Sequence, residues 1–209
     1  MAISYPLSLP TVTGIASVDL RAVNAVAYSR SPFTFAGQAH AYAGQMWQAD
    51  ITLPSMKRAD AEQWISFLIS LRGQFGTFLL GDPNGATPRG LAATLAGSPV
   101  VDGADQTGGS LDIRGASRNK TNWLRAGDYI QIGTGTGTNL HKVLADTNTD
   151  NIGDCTVDIW PHIRAAHPNG TSIVTSNAKG AFRLSSNETS WSVNEASIYG
   201  ITFGAIEAI

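Results

Sequence analysis

The 209-residue sequence predicts a mainly β protein with one α-helix. It divides into a discontinuous first domain, residues 1–83 and 181–209, and an inserted small β domain, residues 84–180. Three observations predict this. The stretch from Gln45 to Pro83 reads as strand, helix and apolar run in immediate succession. The middle of the chain is dense in glycine and proline, with short strands between the breakers. Aromatic, alternating segments stand at both ends and most simply pair with each other.

Residues 1–15 contain Pro6 and Pro10 and read as an extended arm, either an edge strand or a segment reaching to a neighbour. Residues 17–30 read as a strand with Val18 and Leu20 on one face. Leu20, Val23 and Val26 also recur at helical spacing, but the flanking β-branched residues and the following SPFTFAG favour strand. Phe33 and Phe35 flank Thr34 in an expected next strand, and Gly37–Gly44 reads as a turn. From Met46 to Leu53, Trp47, Ile51 and Leu53 alternate with Gln48, Asp50 and Thr52, the mark of a half-buried strand. Pro54 ends it. Ala61, Trp64, Ile65, Leu68 and Ile69, at spacings of three and four, predict a helix from about Lys57 to Leu71. Gly73 closes it where a left-handed residue costs least. Phe75, Phe78, Leu79 and Leu80 form a short apolar run stopped by Gly81, Asp82 and Pro83.

In the insert, short strands are expected at Pro99–Val101, Ser110–Ile113, Leu140–Leu144, Cys155–Trp160 and Thr171–Thr175. Between Trp123 and Gly133, Tyr129 and Gln131 share one face and Ile130 and Ile132 the other. Such a series reads as a small barrel or sandwich. At the end of the chain, Phe182–Leu184 and Ser190–Val193 precede Ile198–Ile206, with Tyr199, Ile201 and Phe203 on one face.

Composition narrows function. Charged residues make up only 14%, against a usual ~25%, while glycine reaches 22 residues. Either the loops are neutral and glycine-rich, or neighbouring subunits cover much of the surface, since interface cores are poor in charge. The net charge of −2 and the lack of a basic cluster argue against nucleic-acid recognition. Cys155 is the single cysteine, which rules out an intrachain disulfide and suits a reducing cytoplasm. Residues 1–20 lack the pattern of a signal peptide, and no run approaches the ~18 apolar residues of a membrane span.

Chemical motifs are weak. His40, His141, His162 and His167 have no partner at helical i, i+4 spacing, so no metal site is expected. Gly133–Gly137 (GTGTG) lacks the helix a phosphate loop needs. Asp102, Asp105, Asp112, Asp146, Asp150 and Asp154 read as turn formers rather than calcium ligands. No G-x-S-x-G elbow occurs. No catalytic residue, cofactor or enzyme activity is expected. Lys57 and Arg58 fit poorly at the positive end of the helix, and a carboxylate on a neighbouring subunit would explain them; Arg72 is expected in the last turn. Trp47, Lys57, Arg58 and Arg72 are therefore the candidate interface residues. Trp123 and Trp160, if exposed, would be stacking platforms for sugar rings; core packing is the alternative.

Three segments carry a family resemblance: MWQADITLPSMKRADAEQWISFLISLRGQFGTFLLGDP, then WLRAGDYIQIG with LHKVLAD, then KGAFRLSSNETSWSVNEASIYGITFGAIEA. Covering about half the chain, they resemble the distal tail proteins of long-tailed bacteriophages and related prophages. The resemblance implies a β-sandwich ring domain carrying the helix, commonly six copies in a ring, and an outer OB-like or galectin-like barrel. It implies a structural virion component that joins the tail tube to the hub and to receptor-binding or fibre proteins, assembled in the host cytoplasm, with no active site and no membrane insertion. The alternatives are a carbohydrate-binding module of the tail tip and a neighbouring hub or tube-completion protein.

Overall fold

The computed structural model describes residues 3–95 and 97–209; Met1 and Ala2 of the expected arm and Ala96 of the expected insert lie outside them. The chain is mainly β with one helix, arranged as a β-sandwich and a small barrel. The strands in order are β1 (Ser17–Arg30), β2 (Gly37–Thr52), β3 (Met56–Lys57), β4 (Phe78–Leu80), β5 (Val100–Val101), β6 (Gly108–Arg114), β7 (Tyr129–Ile132), β8 (Asn139–Val143), β9 (Cys155–Ile163), β10 (Ile173–Val174), β11 (Gly180–Leu184), β12 (Trp191–Val193) and β13 (Ile198–Glu207). The helix α1 spans Arg58–Ser70.

The first domain has the order β1-β2-β13-β11-β4, and β13 also pairs with β12 and β3. The first half of β13 serves β3 and β12, the second half β2 and β11. The C-terminal strand thus lies beside the N-terminal hairpin, as the shared aromatic texture predicts. Ala61, Trp64, Ile65, Phe67 and Leu68 of α1 pack into this core with Phe78, Phe182 and Ile201. Trp64 meets Phe67 edge to face at 6.0 Å, and Phe67 meets Phe78 in the same way at 5.7 Å; such pairs add to simple burial.

Several local expectations are corrected. Ile69 faces solvent, and Phe67 and Leu71 take its place in the core. The helix stops at Ser70, so Arg72 is not in its last turn; Arg72 (φ 53°) and Gly73 (φ 66°) turn the chain away in left-handed conformations. Phe75 is exposed. Residues 3–15 do not reach outward: Leu7 bridges Phe78 in parallel, the Tyr5 hydroxyl donates to the Ser70 carbonyl at 2.6 Å, and Thr13 accepts from the Trp64 indole at 3.0 Å. Gly37–Gly44 is strand rather than turn, and Phe33–Phe35 is the turn rather than a strand. The turn is closed by Ser31, whose amide donates to the Ala36 carbonyl and whose carbonyl accepts from Phe35.

The insert is a six-stranded sheet, β10-β7-β8-β9-β6-β5. It closes on itself where Val101 N–H donates to Thr171 at 2.9 Å, Gly170 to Val101 at 2.9 Å and Ile173 to Pro99 at 3.0 Å. Closure removes the free edges an open sheet would leave. The interior holds Val101, Leu111, Ile113, Ile130, Ile132, Val143, Val157, Ile159, Ile163 and Ile173. The alternation in β9 is complete, with Val157, Ile159, Pro161 and Ile163 inward and Thr156, Asp158 and His162 outward.

The barrel's outer face is also packed. Tyr129 and Leu140 belong to the first domain's core, on the opposite side of β7 and β8 from Ile130 and Val143. Trp47 donates its indole N–H to the Leu140 carbonyl at 3.0 Å. Trp160 meets Trp47 edge to face at 4.5 Å and donates to Asn24 Oδ1 at 2.8 Å. Arg164 pairs with the buried carboxylate of Glu207, whose other oxygen accepts the Trp47 amide at 3.0 Å. Sandwich and barrel therefore share a packed, hydrogen-bonded seam.

Candidate functional site

The predicted site residues part company in the structure. Trp47 is 4% exposed and belongs to the seam between sandwich and barrel, so it cannot face a neighbouring copy. Arg58 finds its carboxylate within the same helix: Nε lies 3.2 Å from Glu62 Oε1, one turn on. That answers the charge mismatch expected to need a neighbour. Lys57 is the extended N-cap residue of α1 and is exposed. Arg72 is exposed beyond the other end of the helix, so it is not gathered with Lys57 and Arg58.

Trp123 is 2% exposed within the barrel core, so no sugar ring can stack on it. Trp160 is half-buried, with its ring against Trp47 and its N–H engaged by Asn24. Both indoles pack within the fold, Trp160 on β9 and Trp123 in the irregular segment before β7, because large aromatic rings gain most by leaving water.

Candidate nucleophiles and ligands are likewise occupied. Burial, reinforced by Asp154, Asp150 and Asp112, pushes the Cys155 thiol up to about 12, so it is not a thiolate at neutral pH. His141 lies in the barrel interior beside Ile130, its Nδ1 2.7 Å from the Pro161 carbonyl. Asp150 forms a turn, with Oδ1 accepting from Ile152, Gly153 and Asp154 at 2.8 to 2.9 Å, and these bonds hold its carboxyl below the usual range. Among the described residues no group of three His, Cys, Asp or Glu side chains converges on a metal position.

What stands out is a surface. β1 and β2 pair continuously from Ser17–Thr52 to Arg30–Gly37, broken only by a bulge near Ala25. Thirteen residue steps make this ribbon about 44 Å long. Its root is covered by β13, which pairs with β2 over Gln48–Thr52. Its outer half projects with both faces wet. Val26, Tyr28, Ala39 and Ala41 lie on one face, since directly paired residues point the same way. His40 and Tyr42 contact edge to face at 4.7 Å on the other. At the turn, Phe33 is 92% and Phe35 66% exposed, with Arg30 4.5 Å over the Phe35 ring. Tyr28 covers the space a Cβ on Gly37 would need, the usual shielding of a strand glycine by a cross-strand ring.

Arg30 is the one full charge between Ala22 and Gly44. A lone two-stranded ribbon is marginal in water, and a long edge poor in charge is a template for another chain. β1 is the terminal strand of its sheet, so its outer edge has no strand partner among the described residues. Sequence reading broke this ribbon at Phe33 and Gly37. The missed signal was the near-absence of charge across 23 residues rich in Ala, Val and aromatics.

No protein-family model matches the chain, and comparison with curated proteins returns no match. Among the described residues no helix is long and apolar enough to cross a membrane.

Proposed function

We propose that the chain is a structural component of a bacteriophage tail tip. Copies of it form a ring, commonly of six, at the distal end of the tail, between the tail tube and the hub with its receptor-binding or fibre proteins. The observation that carries the reading is the projecting β1–β2 ribbon, which exposes Val26, Tyr28, Phe33, Phe35 and Tyr42 on a nearly uncharged frame. An apolar ribbon of this kind is a site for protein contact rather than for catalysis. Its two faces, about 25 Å long and 10 Å wide, offer roughly 500 Å² before edges and tip are added, a large part of the ~800 Å² per partner that a stable interface needs. The three segments resembling distal tail proteins supply the identity of the assembly. Burial of Trp123 and engagement of Trp160 leave the carbohydrate-module alternative without its stacking platforms.

Light scattering with negative-stain imaging tests this. Six 22.0 kDa copies give a particle of about 130 kDa with six-fold symmetry. A particle with two-fold symmetry only, or a lone chain that also fails to bind a tail tube end, counts against the ring.

A further inference from the structure

The sequence holds two Asn–Gly pairs, Asn84–Gly85 and Asn169–Gly170. Asparagine before glycine is the pair most open to spontaneous deamidation. The following amide nitrogen reaches the side-chain carbonyl carbon most easily when its own residue carries no β-carbon. Both asparagines are exposed, so exposure does not choose between them. Hydrogen bonding separates them.

Asn169–Gly170 is held at both reacting ends. Asn169 Oδ1 accepts from the Gly103 amide at 3.2 Å, and Gly170 N–H donates to Val101 at 2.9 Å, one of the bonds that close the barrel. The attacking nitrogen cannot give up its proton and turn toward Cγ without opening that closure. Asn84 stands third in a turn, Asp82–Gly85. Its own amide donates to Asp82 Oδ1 at 2.9 Å, and Gly85 N–H donates to the Asp82 carbonyl at 3.1 Å. That second bond spans only three residues, so it breaks without disturbing a strand. The Asn84 side-chain amide has no hydrogen-bond partner among the described residues.

The fold also demands the glycine. A Cβ at Gly85 would lie 2.6 Å from the Tyr129 ring, so the bulkier residues that slow the reaction would collide there. We infer that Asn84–Gly85 is a site of spontaneous succinimide formation, and that the fold holds Asn169–Gly170 inert. The chemistry needs only water. The Gly85 nitrogen, its proton lost to base, bonds to Asn84 Cγ. The bond from Cγ to the side-chain nitrogen breaks, and that nitrogen takes up a proton and leaves as ammonia. Water then opens the ring at either carbonyl. Opening at Cγ gives aspartate. Opening at the main-chain carbonyl gives isoaspartate, in which the backbone runs through Cβ and Cγ and is one carbon longer. Both products add a negative charge two residues from Asp82. They do so where the chain crosses from β4 to the barrel, beside the return crossing, whose Asn177 N–H donates to the Ala86 carbonyl at 2.5 Å. The site does not depend on which assembly the chain joins.

The test follows both asparagines in one sample. Folded protein is held in warm, mildly alkaline buffer beside a guanidinium-unfolded sample. Trypsin then places Asn84 and Asn169 on separate peptides, residues 73–89 and 165–179. In the folded protein the first should gain one mass unit, located at Asn84 by fragmentation. Isoaspartate should be the larger product, read by an isoaspartyl methyltransferase. Asn169 should lag by about tenfold, a factor that two hydrogen bonds of ordinary strength supply. In the unfolded sample the two rates should draw level. Asn84→Ser, at an exposed side chain without a partner, should keep the melting temperature and abolish methylation of residues 73–89. Asn169 reacting as fast as Asn84 in the folded protein overturns the inference. So does an Asn84 that stays intact there while the unfolded chain reacts. A gap that persists in the unfolded chain overturns the part given to the fold.

Discussion

Acidification should unlock the barrel at His141. Its ring is 1% exposed and shares the inner face with Ile130 and Val143. Nδ1 takes the Pro161 carbonyl as partner, and Nε2 is buried with no hydrogen-bond partner. The neutral ring, with its proton on Nδ1, satisfies this geometry. A second proton on Nε2 would be a buried charge, further disfavoured by Arg164 and His167. Burial first, then those two cations, lowers its pKa from 6.5 to about 4, against the raising effect of the Pro161 bond. A histidine depressed in the folded state contributes full stability above its unfolded pKa and loses it as pH falls. The unfolded chain takes up the proton near 6.5 and the folded chain only near 4, so the loss runs between those values. Two and a half units at 1.36 kcal/mol each give about 3 kcal/mol in all, most of it gone by about pH 4.5. Urea unfolding at several pH values between 7.5 and 4.5, on wild type and His141→Gln, measures it. The glutamine amide can donate to Pro161 but does not titrate, and carboxylate effects are common to both proteins. The stability gap between the two should narrow by about 2–3 kcal/mol on going to the acid end. Parallel pH curves would refute the assignment.

Three further predictions concern the seam and the barrel. Glu207→Gln removes the partner of Arg164 at a 2%-exposed side chain; breaking such a pair should cost about 3–5 kcal/mol in denaturant unfolding and make the 164–180 region more readily cleaved by protease. Asp128, also buried, accepts the amides of Arg89, Gly90 and Arg125 at 2.7 to 3.1 Å. Asp128→Ala should cost about 2–4 kcal/mol by orphaning these donors, whereas Asp128→Asn, which retains an acceptor, should cost less in the same assay. Trp123→Ala should lower stability by about 3–5 kcal/mol as a cavity in the barrel, seen as a fall in melting temperature; a variant of wild-type stability would mean the indole is not core.

Much of the fold was legible where local pattern and burial agree. The strand ending at Leu53, the helix stripe of Ala61, Trp64, Ile65 and Leu68, and the two-sided strand at Tyr129–Ile132 each follow from side-chain period alone. The last case carried more than it was read for: both faces of β7 are apolar or half-buried because one faces the barrel interior and the other the sandwich. Ile69 was misplaced because it satisfies the i+4 spacing from Ile65 yet lies about 100° around the helix from the face centred on Ala61, Trp64 and Leu68, which Phe67 and Leu71 share instead.

The sequence by itself determined the mainly β class, the single helix, and the alternating aromatic texture shared by the N-terminal and C-terminal strands. These depend on short-range periodicity and on turn residues, which act within a few positions. Tertiary structure alone decided that the barrel closes between Val101 and Thr171, that Trp47 and Trp160 meet 113 residues apart across a seam, and that the ribbon projects bare. Those outcomes depend on which distant surfaces meet and which are left over, and that is fixed by the whole chain's packing rather than by any window of it.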